Sequence, residues 1–259
     1  MTEAEQAGAT RPQDDQVWFG SERVARHEKV GRVREVFDAV APRYDLMNDL
    51  MSAGVHRLWK RALIEMVAPR PGMQLLDVAG GTGDIAFRFQ EAAGGAGDVI
   101  VCDINQAMLA VGRDRALDGA AAGAIAWVCG DAEALPLPDR SVDAYTIAFG
   151  LRNVTGIERA LSEARRVLRP GGRFFCLEFS HVAQPALADL YRRYSDEILP
   201  RLGQAVAGNR DAYVYLVESI RRFPRQADLA RMMKRVGLDV VRWRDLSGGI
   251  AAIHSAWRT

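Results

Sequence analysis

Residues Leu75 to Asp84 read Leu-Leu-Asp-Val-Ala-Gly-Gly-Thr-Gly-Asp, an apolar run that ends in three clustered glycines flanked by carboxylates. Gln74 to Ala79 has the length and apolar content of a buried parallel strand, and the pattern from Asp84 to Phe89 opens a helix. Gly80, Gly81 and Gly83 therefore fall on a strand-to-helix turn, where a missing β-carbon permits a sharp bend and close approach of a ligand. Asp103 closes the next apolar run, 20 residues past Gly83, the separation at which an acidic residue reaches ribose hydroxyls. Gly81 to Ala86 also satisfies the G-x-G-x-x-A pattern of dinucleotide folds. Asp77 before the turn and Asp84 at the helix start would repel a pyrophosphate seeking the helix N-terminus. The same carboxylates suit a ligand with a cationic amino-acid end, a ribose and no phosphate. S-adenosylmethionine is such a ligand, and a nicotinamide or flavin nucleotide is the alternative.

The elements that must position this turn follow from periodicity. Val30 to Ala41 and His56 to Val67 are predicted helices, the second with Trp59, Leu63, Ile64 and Val67 on one face. Beyond the first strand, strands at Val99 to Asp103, Ile125 to Cys129, Val142 to Phe149 and Arg173 to Phe179 alternate with helices. Asn105 is a good N-cap, and Thr155-Gly156-Ile157-Glu158 reads as a capping box for a helix stopped by Pro170-Gly171-Gly172. Such alternation indicates a parallel doubly wound α/β sheet with ligands at the carboxyl ends of its strands. Residues 184–224 break the rhythm with two helical patterns, Leu187 to Leu199 and Tyr213 to Arg222, and read as an insertion after the fifth strand. A helix at Gln226 to Val236 then leads to strands at Leu238 to Trp243 and Ile250 to Trp257. Gly248-Gly249 is too short for a parallel crossover, so the last strand must run antiparallel, a mark of the class I methyltransferase fold.

With 34 basic and 33 acidic residues the net charge is +1, so no global field favours nucleic acid. Cys102, Cys129 and Cys176 lie in apolar runs without a C-x-x-C spacing and are predicted to be buried, reduced thiols of a cytoplasmic protein. The four histidines show no metal-ligand spacing, and no apolar stretch approaches the roughly 18 residues needed for a membrane span. Residues 1–16 are predicted to be a disordered tail, followed by one domain over 17–259. Within it, 17–69 form an N-terminal helical lid and 184–224 a helical cap.

Three segments are distinctive together: Tyr44 to Ser52, Gly54 to Arg61, and Phe149-Gly150-Leu151-Arg152-Asn153-Val154. Asp131 to Pro136, Leu168 to Arg173 and Leu177 to Ser180 add to them. On these stretches the chain resembles the ubiquinone/menaquinone biosynthesis C-methyltransferases of the UbiE type, over nearly all of Trp18 to Arg258. The resemblance implies a seven-stranded class I fold and methyl transfer from S-adenosylmethionine to a ring carbon of a polyprenylated benzoquinol or naphthoquinol. It implies donor contacts from Asp77, Gly80, Gly81, Thr82 and Gly83, from Asp103 and Ile104, from Asp131 and Ala132, and from the strand end at Ala148. Many relatives carry Ser at the position of Ala148, so here no side-chain contact comes from it.

Ring methylation needs an ionised quinol oxygen and a route for the ring proton. Arg152, beside the donor end of the sheet, can stabilise a developing phenolate, and Asn153 can orient a hydroxyl or a water. Arg152 could instead pair with a helix carboxylate as a structural ion pair. Tyr44 and Asp45 complete the candidate catalytic set, although Asp45 is equally suited to capping a helix. A base acting through water, Asp45, Glu178 and His181 are open candidates. The substrate implies peripheral contact with the inner face of the cytoplasmic membrane, with Arg192, Arg193, Arg221 and Arg222 of the insertion and the adjoining Arg225 as the contact surface. A homodimer and contacts with other quinone-biosynthesis enzymes are left open. So are two other readings: methylation of a different lipid or small aromatic, and a donor-binding scaffold without activity.

Overall fold

The computed structural model describes residues 16–40, 49, 52, 54–119, 125–182, 189, 191, 193–194, 197, 201 and 210–259. Tyr44, Asp45, the tail up to residue 15 and most of the pattern from Leu187 to Leu199 lie outside the described residues. The first described segment is an antiparallel hairpin, β1 (Gln16–Phe19) and β2 (Glu22–Ala25), with Phe19 opposite Glu22 across Gly20-Ser21. The predicted helical lid therefore begins with strands, and Gln16 belongs to the first of them rather than to a tail. Helix α1 (Arg26–Val40) follows directly and starts four residues before the predicted Val30.

Helix α2 (His56–Val67) buries Trp59, Leu63, Ile64 and Val67, as their spacing requires. It ends at Ala68 in left-handed conformation, just before Pro69. The alternating part comprises β3 (Gln74–Val78), α3 (Asp84–Ala92), β4 (Asp98–Asp103), α4 (Gln106–Asp118), β5 (Ile125–Cys129), β6 (Val142–Ala148), α5 (Ile157–Val167) and β7 (Leu168–Phe179). Then come α6 (Arg210–Arg222), α7 (Gln226–Arg235), β8 (Asp239–Leu246) and β9 (Ala251–Trp257). The seven strands β3 to β9 form one sheet in the order β5-β4-β3-β6-β7-β9-β8. The pairs from β5 through β7 are parallel, and β9 runs antiparallel to both β7 and β8.

Burial on both sheet faces explains the near-continuous apolar strands. On one side Leu75, Val99, Phe175 and Leu177 pack with Trp59 and Leu63 of α2 and Phe89 of α3. On the other, Leu76, Tyr145, Ile147 and Phe174 pack with Leu161 and Ala164 of α5 and Leu229 and Met233 of α7. Each face thus buries alternate residues of the same strands.

Four local expectations are corrected. The capping box at Thr155 does not form: Gly156 is the N-cap, without a side-chain bond, and its N–H donates to Glu133 Oε1 at 2.6 Å. A carboxylate from a distant loop does the capping. Pro170-Gly171-Gly172 does not separate helix from strand; it bulges inside β7, where Val142 pairs with Leu168 but Ala144 with Arg173. The strand thereby starts at Leu168 instead of Arg173. Cys129 is exposed, because it ends the edge strand β5.

Candidate active site

The order β5-β4-β3-β6-β7 reverses between β3 and β6, so chain crossovers leave to opposite sides and open a crevice at the carboxyl ends of those strands. Ala79 after β3 (φ +51°) and Phe149 after β6 (φ +57°) both adopt the left-handed conformation that side-chain-bearing residues avoid. Paired strain of this kind persists where the surrounding packing enforces it, and it concentrates at functional sites. In the turn itself Gly80 allows close approach: a β-carbon there would lie 2.6 Å from Asp77 Oδ2 and 2.7 Å from Val101 Cγ1. Gly83, at φ +82°, caps α3 and would drive a β-carbon to 2.6 Å from the Trp127 ring.

Asp77 is fully buried; its Oδ1 accepts from Thr146 Oγ1 at 2.7 Å, and its Oδ2 has no partner among the described residues. Burial pushes its carboxyl up to about 7, Thr146 opposes this, and the charge of Asp103 adds to it. Asp77, Thr82, Lys60 and Ala148 line one small pocket behind the glycine turn. Asp84, expected to act with Asp77 on a cationic ligand, is already committed. It accepts from Lys60 Nζ at 2.7 Å and from Arg88 Nε at 3.0 Å. Burial raises the Asp84 carboxyl, but those two cations outweigh it and hold it below its ordinary value. Among the described residues, the carboxylate oxygen of this pocket's lining that has no partner is Asp77 Oδ2.

The larger cleft lies on the other side of the turn and is lined by Gly81, Asp103, Ile104, Asp131 and Ala132, with Asn153 at its β6 edge. Asp103 is held by two amides, Gly81 N–H on Oδ2 at 2.9 Å and Asn105 N–H on Oδ1 at 2.8 Å. Burial raises its carboxyl and these amides oppose the rise. Each oxygen keeps a second lone pair, which suits two neighbouring hydroxyls. Asn105 also caps α4, its Oδ1 accepting from Ala107 and Met108 N–H. Asp131 Oδ1 accepts from Glu133 N–H at 2.8 Å, which fixes the loop after β5. Thr82 Oγ1 accepts from Arg115 Nη1 at 3.0 Å and retains its own proton to donate.

Helix α1 roofs this cleft with Val30, Val33 and Arg34. Three cations fasten it: Arg26 Nη1 lies 3.4 Å from Glu133 Oε2, Lys29 Nζ donates to Val154 O at 3.1 Å, and Arg34 Nη2 donates to Ile104 O at 3.2 Å. Lys29 and Val33 stand one turn apart, so the buried lysine shares the inward face. That spacing was legible in the sequence, and Lys29 and Glu133 are the site residues that sequence reasoning passed over.

Arg152 lies on the turn after β6 and is buried against the last part of β7. Its Nη1 is 2.8 Å from Glu178 Oε1, both side chains being 1% exposed, and the same nitrogen donates to Phe149 O. The carboxylate partner comes from a strand rather than a helix. Arg152 Nε is buried and has no partner among the described residues. Burial pushes the Glu178 carboxyl up, with Arg152 opposing. Asn153 Oδ1 accepts from Tyr215 Oη at 3.0 Å. His181 is tied to Phe223 O at 2.8 Å and does not line the donor cleft, and His56 is buried against Ser52 Oγ at 3.0 Å.

Relatives from Methylobacterium nodulans and Paracoccus denitrificans, both named Ubiquinone/menaquinone biosynthesis C-methyltransferase UbiE, are 62% and 58% identical. Each alignment covers 93% of this chain and 96% of the relative. Among solved structures, the [4+2]-cyclase SpnF superposes with a TM-score of 0.64 at 19% identity, over 88% of this chain and 96% of that one. A cyclase on this architecture shows that the sheet alone does not fix the reaction. The sequence does so: a family profile described as the ubiE/COQ5 methyltransferase family matches residues 24–258, and the chain belongs to that family.

Proposed function

We propose that this methyltransferase transfers a methyl group from S-adenosylmethionine to a ring carbon of a polyprenylated benzoquinol or naphthoquinol. One observation carries the donor assignment: the buried Oδ2 of Asp77 behind the glycine turn, which has no partner among the described residues. It can receive a cationic amino-acid end and would repel a phosphate, which disfavours a dinucleotide. In this reading Asp77, Gly80 and Thr82 hold the amino-acid end, Asp103 with Gly81 and Ile104 the ribose, and Asp131 with Ala132 the base. Gly83 starts α3 behind them, and Ala148 adds surface. When bound, the donor supplies an electrophilic methyl group.

The acceptor assignment rests on the name that relatives of 62% and 58% identity share. The protein's part is to seat the ring, exclude water and stabilise the ionised oxygen. Asn153 lines the donor cleft and Arg152 the neighbouring cavity under the hairpin, and Tyr215 and Glu178 fix their orientation. Because Glu178 already balances the Arg152 charge, Arg152 acts as a preorganised dipole toward a phenolate rather than as a free cation. Tyr44 and Asp45 keep their places in the candidate set from the sequence.

A polyprenyl tail resides in a bilayer, and no helix among the described residues is long and apolar enough to cross one. Peripheral contact on the cytoplasmic face belongs to the same reading. Transfer of labelled methyl to a short-tailed quinol, followed by mass analysis of the product, tests the assignment. Ring C-methylation is expected. Failure with quinols while binding NADH at micromolar level would refute it.

A further inference from the structure

The small pocket behind the glycine turn carries charges of both signs. Lys60, Asp77 and Asp84 line it, together with Gly80, Thr82 and Ala148. Ala79, Gly81 and Phe149 line both this pocket and the larger cleft that holds Asp103, so the two spaces meet at those residues. Gly81 and Ala79 have little or no side chain with which to raise a wall there. A ligand with its ribose on Asp103 can therefore pass Gly81 and place its other end between Asp77 and Lys60.

Lys60 stands on the apolar face of α2 with Trp59 and Leu63, and its side chain is 5% exposed. A lysine buried in such a place needs partners for its charge. Its Nζ donates to Asp84 Oδ2 at 2.7 Å, and the ammonium has two further N–H bonds, with no other acceptor for them among the described residues. Asp84 is shared with Arg88, whose Nε donates to its Oδ1 at 3.0 Å. Two cations thus meet one carboxylate, and the cluster keeps one positive charge in excess. Asp77 supplies the opposite sign, its buried Oδ2 having no partner among the described residues. An excess cation and an unpartnered carboxylate in one pocket fit a ligand end that carries a carboxylate and an ammonium together. The α-amino-acid head of S-adenosylmethionine is such an end, and a pyrophosphate offers only its negative half.

We propose that Lys60 binds the carboxylate of the donor's amino-acid head while Asp77 takes its ammonium, so that the pocket selects the zwitterion over a cation alone. This rests on the donor reading above and adds to it a residue from α2, outside the glycine turn. The contact is non-covalent: N–H groups of the lysine ammonium donate to a carboxylate that the ligand brings. The bond to Asp84 serves the same end, because it holds the long lysine side chain in place and less side-chain freedom is lost when the donor binds. A nucleoside without the head, or a donor that has lost its carboxylate, would leave the excess charge of Lys60 unmet.

The test is calorimetry with S-adenosylmethionine and with its decarboxylated form, which keeps the adenine, ribose, sulfonium and ammonium. The wild type is compared with Lys60→Met, Asp77→Asn and Asp84→Asn at about pH 8, where Asp77 is ionised, with folding checked by circular dichroism. The wild type is expected to prefer the complete donor by about tenfold to a hundredfold, the worth of hydrogen bonds to a charged group. Lys60→Met should bring that preference to within about threefold by weakening the complete donor alone. Asp77→Asn should weaken both ligands and keep the preference, because both carry the ammonium. Asp84→Asn frees Lys60 from its carboxylate and should keep or raise the preference. Should Lys60→Met fail to fold, Lys60→Met with Asp84→Leu removes the pair together and carries the same expectation. Equal binding of the two ligands by the wild type, or a preference that survives the loss of Lys60, would overturn the proposal. So would a preference lost alike in Asp84→Asn, which would make Lys60 a strut between α2 and α3. If the wild type binds neither ligand, the underlying donor reading fails instead.

Discussion

The donor cleft and the hairpin cavity are built in opposite ways. The cleft is assembled from strand ends and the turns directly after them: Gly81 bonds Asp103, Asn105 bonds Asp103, and Glu133 bonds Asp131, mostly through backbone amides. The cavity under the hairpin, walled by Trp18, Lys29, Arg152, Tyr215 and Arg222 among others, is assembled from long side chains that meet across the chain. Arg152 reaches Glu178, Tyr215 reaches Asn153, and Arg222 reaches Trp18 and Gly20. Backbone amides cost little ordering entropy once the strands are set, so the cleft is close to rigid. Long cationic side chains hold shape only while their partners remain. The donor side should therefore tolerate loss of one group with a local defect, and the hairpin side should fail as a unit.

The largest effect expected is at Arg152. Replacing it with alanine leaves Glu178 buried without its counter-charge, which typically costs about 3–5 kcal/mol. Chemical denaturation should show that loss, with the methyl-transfer rate down about a hundredfold and donor affinity close to normal. The double variant Arg152→Met with Glu178→Leu should recover most of the stability and none of the rate. A loss under about 1 kcal/mol in the single variant would mean that the pair is hydrated, and the contrast between the two regions would dissolve.

Asp103→Ala should act on the donor side alone. Removing an acceptor for two ribose hydroxyls should weaken S-adenosylmethionine by roughly 1.5–3 kcal/mol. Calorimetry of the folded variant measures this. Unaltered donor affinity would remove Asp103 from the ribose site.

A smaller signal is expected from Asp77. Its carboxyl is raised from 3.8 to about 7, so without a ligand it is largely protonated below neutrality. A cationic amino-acid end favours the ionised form, so donor binding should release close to one proton at about pH 6 and almost none at about pH 8.5. Calorimetry in buffers of different ionisation enthalpy counts those protons, and Asp77→Asn should abolish the release. The same shift sets the sign for stability. The unfolded carboxyl ionises near 3.8 and the folded one near 7, so the free protein is expected to lose stability as pH rises across that window. Melting temperatures that rise between pH 4 and 7 by an amount that Asp77→Asn removes would contradict it.

The same division decides what the sequence discloses. Helix α2 (His56–Val67) and strand β5 (Ile125–Cys129) occupy the residues that their periodicity marks, and Asn105 caps α4 as its residue type suggests. These signals are local. The hairpin's signal is local as well: Gly20-Ser21 between two four-residue runs is a two-residue turn, but the periodicity of the helix that follows is the stronger pattern. Glu133 in place of Thr155 at the start of α5, and Glu178 as the partner of Arg152, were not legible in the same way. Nothing in the spacing of 133 to 156, or of 152 to 178, shows which carboxylate the fold delivers. The glycine turn could be read as a ligand site, but the neutralisation of Asp84 by Lys60 depended on how α2 lies beside α3.

The position of β9 governs the order in which the sheet can be completed. In this sheet β8 is joined through β9, although β8 is synthesised first. During synthesis β8 must wait as an unpaired edge until the following strand docks between it and β7. Its pairing is thus a late event, and the long-range β7–β9 contact is a natural rate-limiting closure. Slow translation just after Leu246 would lengthen the time for which that edge is open to other chains.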